Sequence, residues 1–285
     1  MTVKESISLF SVELARIYPA HEIDAITRIA LKHVAGLSQA DIYVDAARQL
    51  PGEAESQIYD IIHQLKRYVP LQYVLGETEF YGLRFLVNEN VLIPRPETEE
   101  LVEWIISDYK ERQNVSIIDI GTGSGCIPVA LARFLPNAEV SAVDISSEAL
   151  AMAWQNAQLN GVKINFAEAD ALKGLPPNIG LFDVIVSNPP YISPEQKDEM
   201  LPNVLEFEPH LALFAPEQKP FAFYEAITNL AVKHLKPDGR LYFEINEKYP
   251  AEIASIIASK GFETNLRADI NDKNRMIKAW KHDKG

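Results

Sequence analysis

The sequence predicts an α/β protein in which a mainly parallel sheet is flanked by helices and preceded by a small helical bundle. From Val115 the pattern is strand, glycine-rich turn, helix and strand: an apolar run at 115–120 precedes closely spaced glycines and a helical stretch at 126–134. Polar residues end successive strands, at the sheet edge where open parallel sheets bind ligands. The first 70 residues instead place apolar residues three and four apart, as amphipathic helices do.

The bulk composition is that of a soluble globular protein large enough for about two domains. Of 285 residues, 47% are apolar and 24% are charged, and no apolar run approaches the roughly 18 residues of a membrane span. The formal net charge of −13 argues against a broad duplex-binding face, which needs clustered lysine and arginine. The single cysteine, Cys126, rules out an internal disulfide, so a reducing, cytoplasmic setting is expected.

Residues 1–70 are predicted to form four short helices. The first carries one apolar stripe, the second ends near Gly36, Ser38 begins the third, and the fourth runs from Glu53 to Tyr68. No catalytic constellation lies in this bundle. The pattern leaves two functions open for it, namely packing and recognition of a partner.

Residues 71–93 are predicted to form a β-hairpin linker, because aromatic and polar residues alternate there and Gly76 and Gly82 mark turns. Pro94 and Pro96 then hold Arg95 on an extended loop before a helix that opens at Glu97 or Thr98 and runs to about residue 111. Arg95 is as consistent with lining a site as with being solvated.

The third domain, 94–285, is predicted to contain the sheet. Its first strands end at Asp119, Asp144, Asp170 and Asn188, and a fifth strand spans 239–245. The last two strands, 262–267 and 276–280, have no helix between them, so they should form an antiparallel hairpin at the sheet edge with Trp280 in the core. The long loop at 192–216, which includes Pro194 and Glu208, forms either a lid or a solvated acidic face.

The polar strand ends outline one nucleoside pocket. Asp144 lies nineteen residues past Gly125, close to the offset of an acid that binds ribose hydroxyls. Asp119, just before the glycines, would repel a pyrophosphate but attract an ammonium group. These features favour S-adenosylmethionine, with Asp170 near the adenine amine, over a nicotinamide or flavin cofactor, which remains the alternative.

The stretch Asn188-Pro-Pro-Tyr191 stands at the end of a buried strand. It offers the Asn188 side-chain carbonyl, proline carbonyl oxygens and an aromatic ring, but no nucleophile, general base or metal ligand. Such a set of acceptors suits an enzyme that holds an amide or aromatic amine while a second molecule delivers an electrophile.

Four segments stand in order along the chain: residues 70–76 (PLQYVLG), 93–99 (IPRPETE), 119–127 (DIGTGSGCI) and 187–192 (SNPPYI). Together they resemble the HemK/PrmC family of peptide-chain release factor glutamine N(5)-methyltransferases. The resemblance covers most of residues 70–280. It implies a Rossmann-like, S-adenosylmethionine-dependent methyltransferase sheet with an antiparallel last strand, and a helical domain, residues 1–70, that recognises the substrate.

The resemblance implies that the substrate is the glutamine of the Gly-Gly-Gln motif of a release factor, whose amide hydrogens would bond to the Asn188 side chain and the Pro189 carbonyl. The catalytic set would be Asn188, Pro189, Pro190 and Tyr191, which with Arg95 would also bind the substrate. The cofactor, released as S-adenosylhomocysteine, would contact Asp119, Gly121, Thr122, Gly123, Ser124, Gly125, Asp144, Asp170, Ala171 and Asn188. No metal, membrane or duplex nucleic acid is expected, and the chain should be a monomer.

Two other functions use some of the same residues. An adenine-N6 methyltransferase of DNA or RNA needs the same acceptors for a flipped base, but it should carry a basic recognition domain, which residues 1–70 are not. The second alternative is a non-catalytic cofactor-binding protein that recruits a partner, but it does not explain why Asn188 stands at the end of the strand.

Overall fold

A computed structural model describes residues 1–177, 179–193, 196–197 and 200–281 of the chain. The chain divides into two compact units, one formed by Met1–Gly76 with Leu201–Phe207 and the other by Glu77–Met200 with Glu208–Gly285. Within the described ranges, no helix is both long and apolar enough to cross a membrane. The predicted Pro194 lies outside the described residues.

Helices and strands are numbered here in chain order over the described residues. The helices are α1 (Val3–Leu14), α2 (Ala20–Ala35), α3 (Gln39–Val44), α4 (Ala54–Leu65), α5 (Leu71–Leu75), α6 (Pro96–Tyr109), α7 (Cys126–Phe134), α8 (Ser147–Leu159), α9 (Pro202–Phe207), α10 (His210–Leu213), α11 (Ala222–His234) and α12 (Pro250–Ala258). The strands are β1 (Glu77–Phe80), β2 (Leu83–Leu86), β3 (Ser116–Ile120), β4 (Glu139–Asp144), β5 (Asn165–Glu168), β6 (Phe182–Ser187), β7 (Leu235–Glu244), β8 (Phe262–Ala268) and β9 (Asn274–Lys281).

The first unit is built from α1–α5 and α9. Thr2 and Ser38 each close a capping box that satisfies backbone N–H groups at the start of α1 and α3. Gly36 ends α2 in the left-handed conformation, with φ of 64°, as predicted for a glycine at that point. The apolar stripes of α1, α2 and α4 meet in one core that includes Phe10, Leu31 and Ile58.

The second unit contains a seven-stranded sheet with the order β5-β4-β3-β6-β7-β9-β8. The first five strands in that order run parallel, and β9 pairs antiparallel with both β7 and β8. The predicted α/β fold with an antiparallel last strand is confirmed. Side chains of β3 alternate between two apolar layers: Ile117 packs in the layer with α6 and α7, and Ile118 in the layer with α11 and α12.

The predicted antiparallel hairpin at the sheet edge is confirmed, with β8 as the outermost strand and β9 between β8 and β7. Helix α6 begins at Pro96, one residue before the predicted start, with Arg95 as its N-cap. Two other local predictions are wrong. Residues 71–75 form α5 and not hairpin, so the hairpin of β1 and β2 begins only after Gly76. Trp280 is only partly buried and lies beside the Arg240 guanidinium, 5.8 Å from its ring centre.

Candidate active site

The carboxyl ends of β3, β4 and β6 open into one cavity of about 460 Å³ within the second unit. The register of these parallel strands explains the convergence, because Asp119 of β3 stands beside Val186 of β6 and Ala142 of β4. The cavity is of the size that small organic ligands occupy. Its wall includes sequence-predicted residues from these three strand ends and from the end of β5, namely Gly121, Thr122, Gly123, Ser124, Asp144, Asp170, Ala171, Asn188, Pro189 and Pro190.

The glycine turn after β3 has one open side and one packed side. Gly123 has φ of +53°, and a Cβ added there would meet no atom within 4 Å, so its backbone is free to approach a ligand. A Cβ on Gly125 would lie 2.9 Å from Cβ of Ala153 on α8. Glycine at 123 therefore leaves room at the cavity, whereas glycine at 125 lets α8 pack against the turn.

Asp144, at the end of β4, is tied to this turn. Its Oδ2 accepts a hydrogen bond from the Gly123 N–H at 2.8 Å, and its Oδ1 accepts one from the Ser146 N–H at 3.0 Å. Burial raises the pKa of the Asp144 carboxyl, and these backbone N–H groups oppose that rise. Each carboxylate oxygen retains a lone pair that a ligand hydroxyl can use.

Asp119 is fully buried directly before the glycine turn. Neither carboxylate oxygen has a hydrogen-bond partner among the described residues, and burial raises the pKa of this carboxyl to about 7. Asp119 itself is not part of the cavity wall, but the next residues, Ile120 to Ser124, are. An unpartnered buried carboxylate behind that wall fits a ligand that brings positive charge or N–H donors.

Asp170 and Ala171, after β5, line the far end of the cavity. Oδ1 of Asp170 accepts the Leu172 N–H at 2.9 Å, and Oδ2 lies 3.1 Å from Nζ of Lys173. The Lys173 side chain is 83% exposed, so this ion pair is solvent-screened and leaves Asp170 available to another donor.

Asn188 follows β6, whose last residue is fixed because the Ser187 hydroxyl donates to the Ile120 carbonyl at 2.6 Å. The Asn188 side chain donates through Nδ2 to Oγ1 of Thr98, at 3.3 Å. Among the described residues, no donor bonds to Oδ1 of Asn188 or to the carbonyl oxygen of Pro189. Two acceptors are therefore left on the cavity wall within one dipeptide.

Tyr191 is separated from the other residues of its motif. It is absent from the cavity wall, and its hydroxyl donates to Oε1 of Glu244 at 3.2 Å. The Asn246 side chain in turn donates to the Tyr191 carbonyl at 3.2 Å. Burial and the adjacent Glu244 raise the pKa of Tyr191, which therefore stays a neutral donor. The Tyr191 side chain therefore bonds to Glu244 and is not part of the cavity wall.

Arg95 lies on the cavity wall, and its guanidinium pairs with Glu208. Beyond Glu208, the chain closes one side of the cavity through Pro209, Leu211, Ala212, Phe214 and Pro216. The second half of the loop predicted as a lid or an acidic face thus contributes to the wall. Leu213 is not part of the cavity wall and is buried, and its carbonyl accepts a hydrogen bond from the Ile192 N–H at 3.0 Å.

The sequence analysis did not identify two residues that are linked to Asn188 by hydrogen bonds: Thr98, which contacts Asn188, and Glu244, which contacts Thr98. Glu244 is the last residue of β7, so the signal that identified Asp144 and Asn188, a polar residue at the carboxyl end of a parallel strand, also applies to it. Thr98 gave no comparable signal. Among the residues described, no group of three or more His, Cys, Asp or Glu side chains could hold a metal ion.

Comparison with known proteins shows what the chain is similar to. The family model "PrmC N-terminal domain" matches residues 8–76, and "Methyltransferase small domain" matches residues 98–206. A release factor glutamine methyltransferase of Flavobacterium psychrophilum is 45% identical over 98% of this chain and 99% of the relative. One of Bacteroides thetaiotaomicron is 39% identical over 93% and 95%. A crystal structure of a methyltransferase from Pyrococcus furiosus shares the fold at 17% identity, with a TM-score of 0.52 over 81% of this chain and 99% of that chain.

Proposed function

Because the chain belongs to the family of release factor glutamine methyltransferases, we propose that it methylates the side-chain amide nitrogen of the glutamine in the Gly-Gly-Gln motif of peptide-chain release factors. The observation that carries the proposal is the pair of free acceptors at Asn188 and Pro189 on the wall of a cavity with a nucleoside-type site beside it. Two acceptors side by side match the two N–H bonds of a primary amide.

S-adenosylmethionine fits the polar groups of this cavity. Asp144 would accept the ribose hydroxyls, Asp170 would accept the adenine amine, and the open backbone of Gly121 and Gly123 would approach the amino-acid end, whose ammonium group suits the unpartnered Asp119. The walls at Thr122, Ser124 and Ala171 would complete the contacts. When bound, this cofactor supplies an electrophilic methyl group on a sulfonium sulfur.

The protein's own contribution is alignment of a poor nucleophile. The lone pair of an amide nitrogen is delocalised into its carbonyl, so the nitrogen is a weak nucleophile and reacts faster when that lone pair is aimed at the methyl group. Hydrogen bonds from its two N–H groups to Asn188 Oδ1 and to the Pro189 carbonyl would fix that orientation and favour the positive charge that develops on nitrogen. Pro190 stiffens the loop that carries both acceptors.

We propose that the first unit recognises the release factor. A glutamine on a loop offers little area for selection, and specific protein partners bury on the order of 800 Å² on each side. The unit exposes apolar side chains suited to such a contact, with Tyr43 71% and Val44 86% exposed. We also propose that the protein acts as a monomer in the cytoplasm, the reducing compartment that its single cysteine, Cys126, suggests.

The test is transfer of label from S-adenosylmethionine carrying a radioactive methyl group. Intact release factor should be labelled, and the same protein with the Gly-Gly-Gln glutamine replaced by asparagine should not. Adenine-containing duplex DNA and RNA should remain unlabelled, since the net charge of −13 opposes phosphate binding. Labelling of nucleic acid and not of release factor would establish the adenine-N6 alternative instead.

A further inference from the structure

A hydrogen-bond chain runs from Asn188 on the cavity wall to the buried Glu244. The Thr98 hydroxyl stands between them, 3.3 Å from Nδ2 of Asn188 and 2.6 Å from Oε2 of Glu244. Thr98 and Glu244 are both 2% exposed, so the bond between them is shielded from water, whereas Asn188 is partly buried and faces the cavity. The three residues come from the loop after β6, the first turn of α6 and the end of β7.

The donors in this chain allow only one arrangement while Glu244 is ionised. A carboxylate accepts hydrogen bonds and cannot donate, so the single Thr98 hydrogen is directed to Glu244. The Thr98 oxygen can then only accept, and only the NH₂ end of the Asn188 amide can donate to it. Oδ1 of Asn188 is consequently turned away from Thr98.

The surroundings of Glu244 support its role as an acceptor. Its other oxygen, Oε1, accepts from the Tyr191 hydroxyl at 3.2 Å, so both oxygens face hydroxyl donors. Burial holds the pKa of the Glu244 carboxyl above its ordinary value, and the two hydroxyls and the positive charge of Arg275 oppose that rise and favour the ionised form. Arg275 is itself anchored by Glu247, at 2.8 Å.

We propose that Glu244 and Thr98 are positioning residues that lock the Asn188 amide with Oδ1 toward the substrate. This inference rests on the proposed function, in which Oδ1 accepts an N–H of the substrate amide. An amide rotated by half a turn would present its NH₂ group to the NH₂ group of the substrate, so that two donors would face each other. The buried carboxylate thereby sets which end of Asn188 the substrate meets, without contacting the substrate.

Two substitutions of Thr98 and a matched control at Thr228 separate the orientation of Asn188 from the stability of the fold. Thr98→Val keeps the shape but removes the hydroxyl, and it should lower kcat by about tenfold or more, while KM for release factor and affinity for S-adenosylhomocysteine stay within about twofold. Thr98→Ser keeps the hydroxyl and should restore most of kcat. Thr228→Val removes another fully buried hydroxyl of the same unit, bonded at 2.6 Å to the Tyr224 carbonyl, and should leave kcat unchanged.

Glu244→Gln provides an independent variant. A glutamine amide can donate to Thr98, which frees the Thr98 hydrogen to bond Oδ1 of Asn188 in the rotated state, so kcat should fall as in Thr98→Val. Equal kcat in Thr98→Val, Glu244→Gln and Thr228→Val would overturn the proposal, as would a Thr98→Ser enzyme as slow as Thr98→Val.

The orientation is also measurable without turnover. In ¹⁵N-labelled protein, the side-chain NH₂ resonances of Asn188, identified by their loss in Asn188→Ala, should exchange slowly with solvent in the wild type and in Thr98→Ser, but faster in Glu244→Gln. Rapid exchange in the wild type would refute the lock even if methylation is normal. Slow exchange in a protein that does not methylate release factor would instead support the lock and refute the proposed substrate.

Discussion

Nη2 of Arg95 lies 2.5 Å from Oε1 of Glu208, although 113 residues separate the two in the chain. The Glu208 side chain is 1% exposed, and its other oxygen accepts the Ile93 N–H at 3.3 Å. One carboxylate thus joins the loop before α6 to the segment from Pro209 to Pro216 that closes the cavity. The ion pair fixes the position of a wall and of a cationic residue at the same time.

Glu208→Ala is expected to loosen that wall. Removal of one partner leaves the Arg95 charge and the Ile93 N–H without their acceptor, so the free energy of unfolding should fall by about 1–3 kcal/mol. KM for release factor should rise, because the segment after Glu208 is no longer held. Urea unfolding and steady-state kinetics measure both effects; a variant with unchanged stability and KM would show that the pair contributes nothing to the cavity.

Asp144→Ala is expected to weaken cofactor binding. The substitution removes the proposed acceptor of the ribose hydroxyls and releases the Gly123 N–H from its bond at 2.8 Å. Loss of a charge-assisted contact costs about 1.5–3 kcal/mol, or roughly tenfold or more in affinity. Calorimetry with S-adenosylhomocysteine measures this, and Asp183→Asn, at the opposite end of the sheet, serves as the control. Unchanged affinity would place the nucleoside elsewhere.

Asn188→Ala should abolish transfer and leave the cofactor site nearly intact. Its side chain is assigned to the substrate amide, and loss of one positioned hydrogen-bonding group typically costs on the order of 10² or more in rate. Affinity for S-adenosylhomocysteine should change by less than about threefold, because the Asn188 side chain is expected to bond mainly to the substrate and not to the cofactor. Turnover close to that of the wild type would remove Asn188 from the mechanism.

Asp119 is expected to make stability pH-dependent in the ligand-free enzyme. Burial raises its folded-state pKa to about 7, from an ordinary value near 3.8, so the folded protein holds a proton that the unfolded chain releases. That stabilisation is fully present below about pH 4 and is lost as pH rises to about 7, a change of up to about 4 kcal/mol.

The comparison is between wild type and Asp119→Asn in urea unfolding at several pH values. The variant carries no titrating proton at this site, so it should lose less stability than the wild type between about pH 4.5 and 7.5. Asp183→Asn is the control, because Lys236 and Ser116 outweigh burial and hold the Asp183 pKa below its ordinary value, outside that window. Parallel pH profiles for wild type and Asp119→Asn would contradict the assignment.

Recognition by the first unit predicts a defect specific to the protein substrate. Replacing Tyr43 and Val44 with serine should raise KM for intact release factor several-fold, on the expectation that exposed apolar side chains contribute to such contacts. Affinity for S-adenosylhomocysteine should be unaffected. Val232→Ser, an exposed position on α11 of the second unit, is the matched control. A double variant with the KM of the wild type would leave packing as the role of this surface.

The elements that the sequence predicts well are those with local signals. The α7 boundaries, Cys126–Phe134, agree with the predicted helix because a glycine turn and an unbroken apolar pattern mark its start and course. No element is predicted for residues 147–159, where α8 begins from a Ser146 cap, even though Ala149, Met152 and Ala153 recur at helical spacing. Helix α8 could therefore have been predicted from the sequence.

Other features depend on contacts that no local pattern encodes. Thr98 and Glu244 are 146 residues apart and meet only because α6 packs on the sheet beside β7. The Arg95–Glu208 pair has the same origin. Tyr191 shares a motif with Asn188, but the chain direction after Pro190 takes its ring to Glu244. The acceptors of the site could therefore be predicted from sequence, and the strand-end position of Glu244 could have marked it as well, but its contacts with Thr98 and Tyr191 could not be predicted.

The most direct measurement is the mass of the modified release factor, mapped to a single atom. After incubation with S-adenosylmethionine, proteolysis and fragmentation should show one added methyl group on the glutamine of the Gly-Gly-Gln peptide, with the methyl on the side-chain nitrogen, and none when Asn188→Ala replaces the wild type. A methyl group on another residue, or the same product from the Asn188→Ala enzyme, would contradict the account.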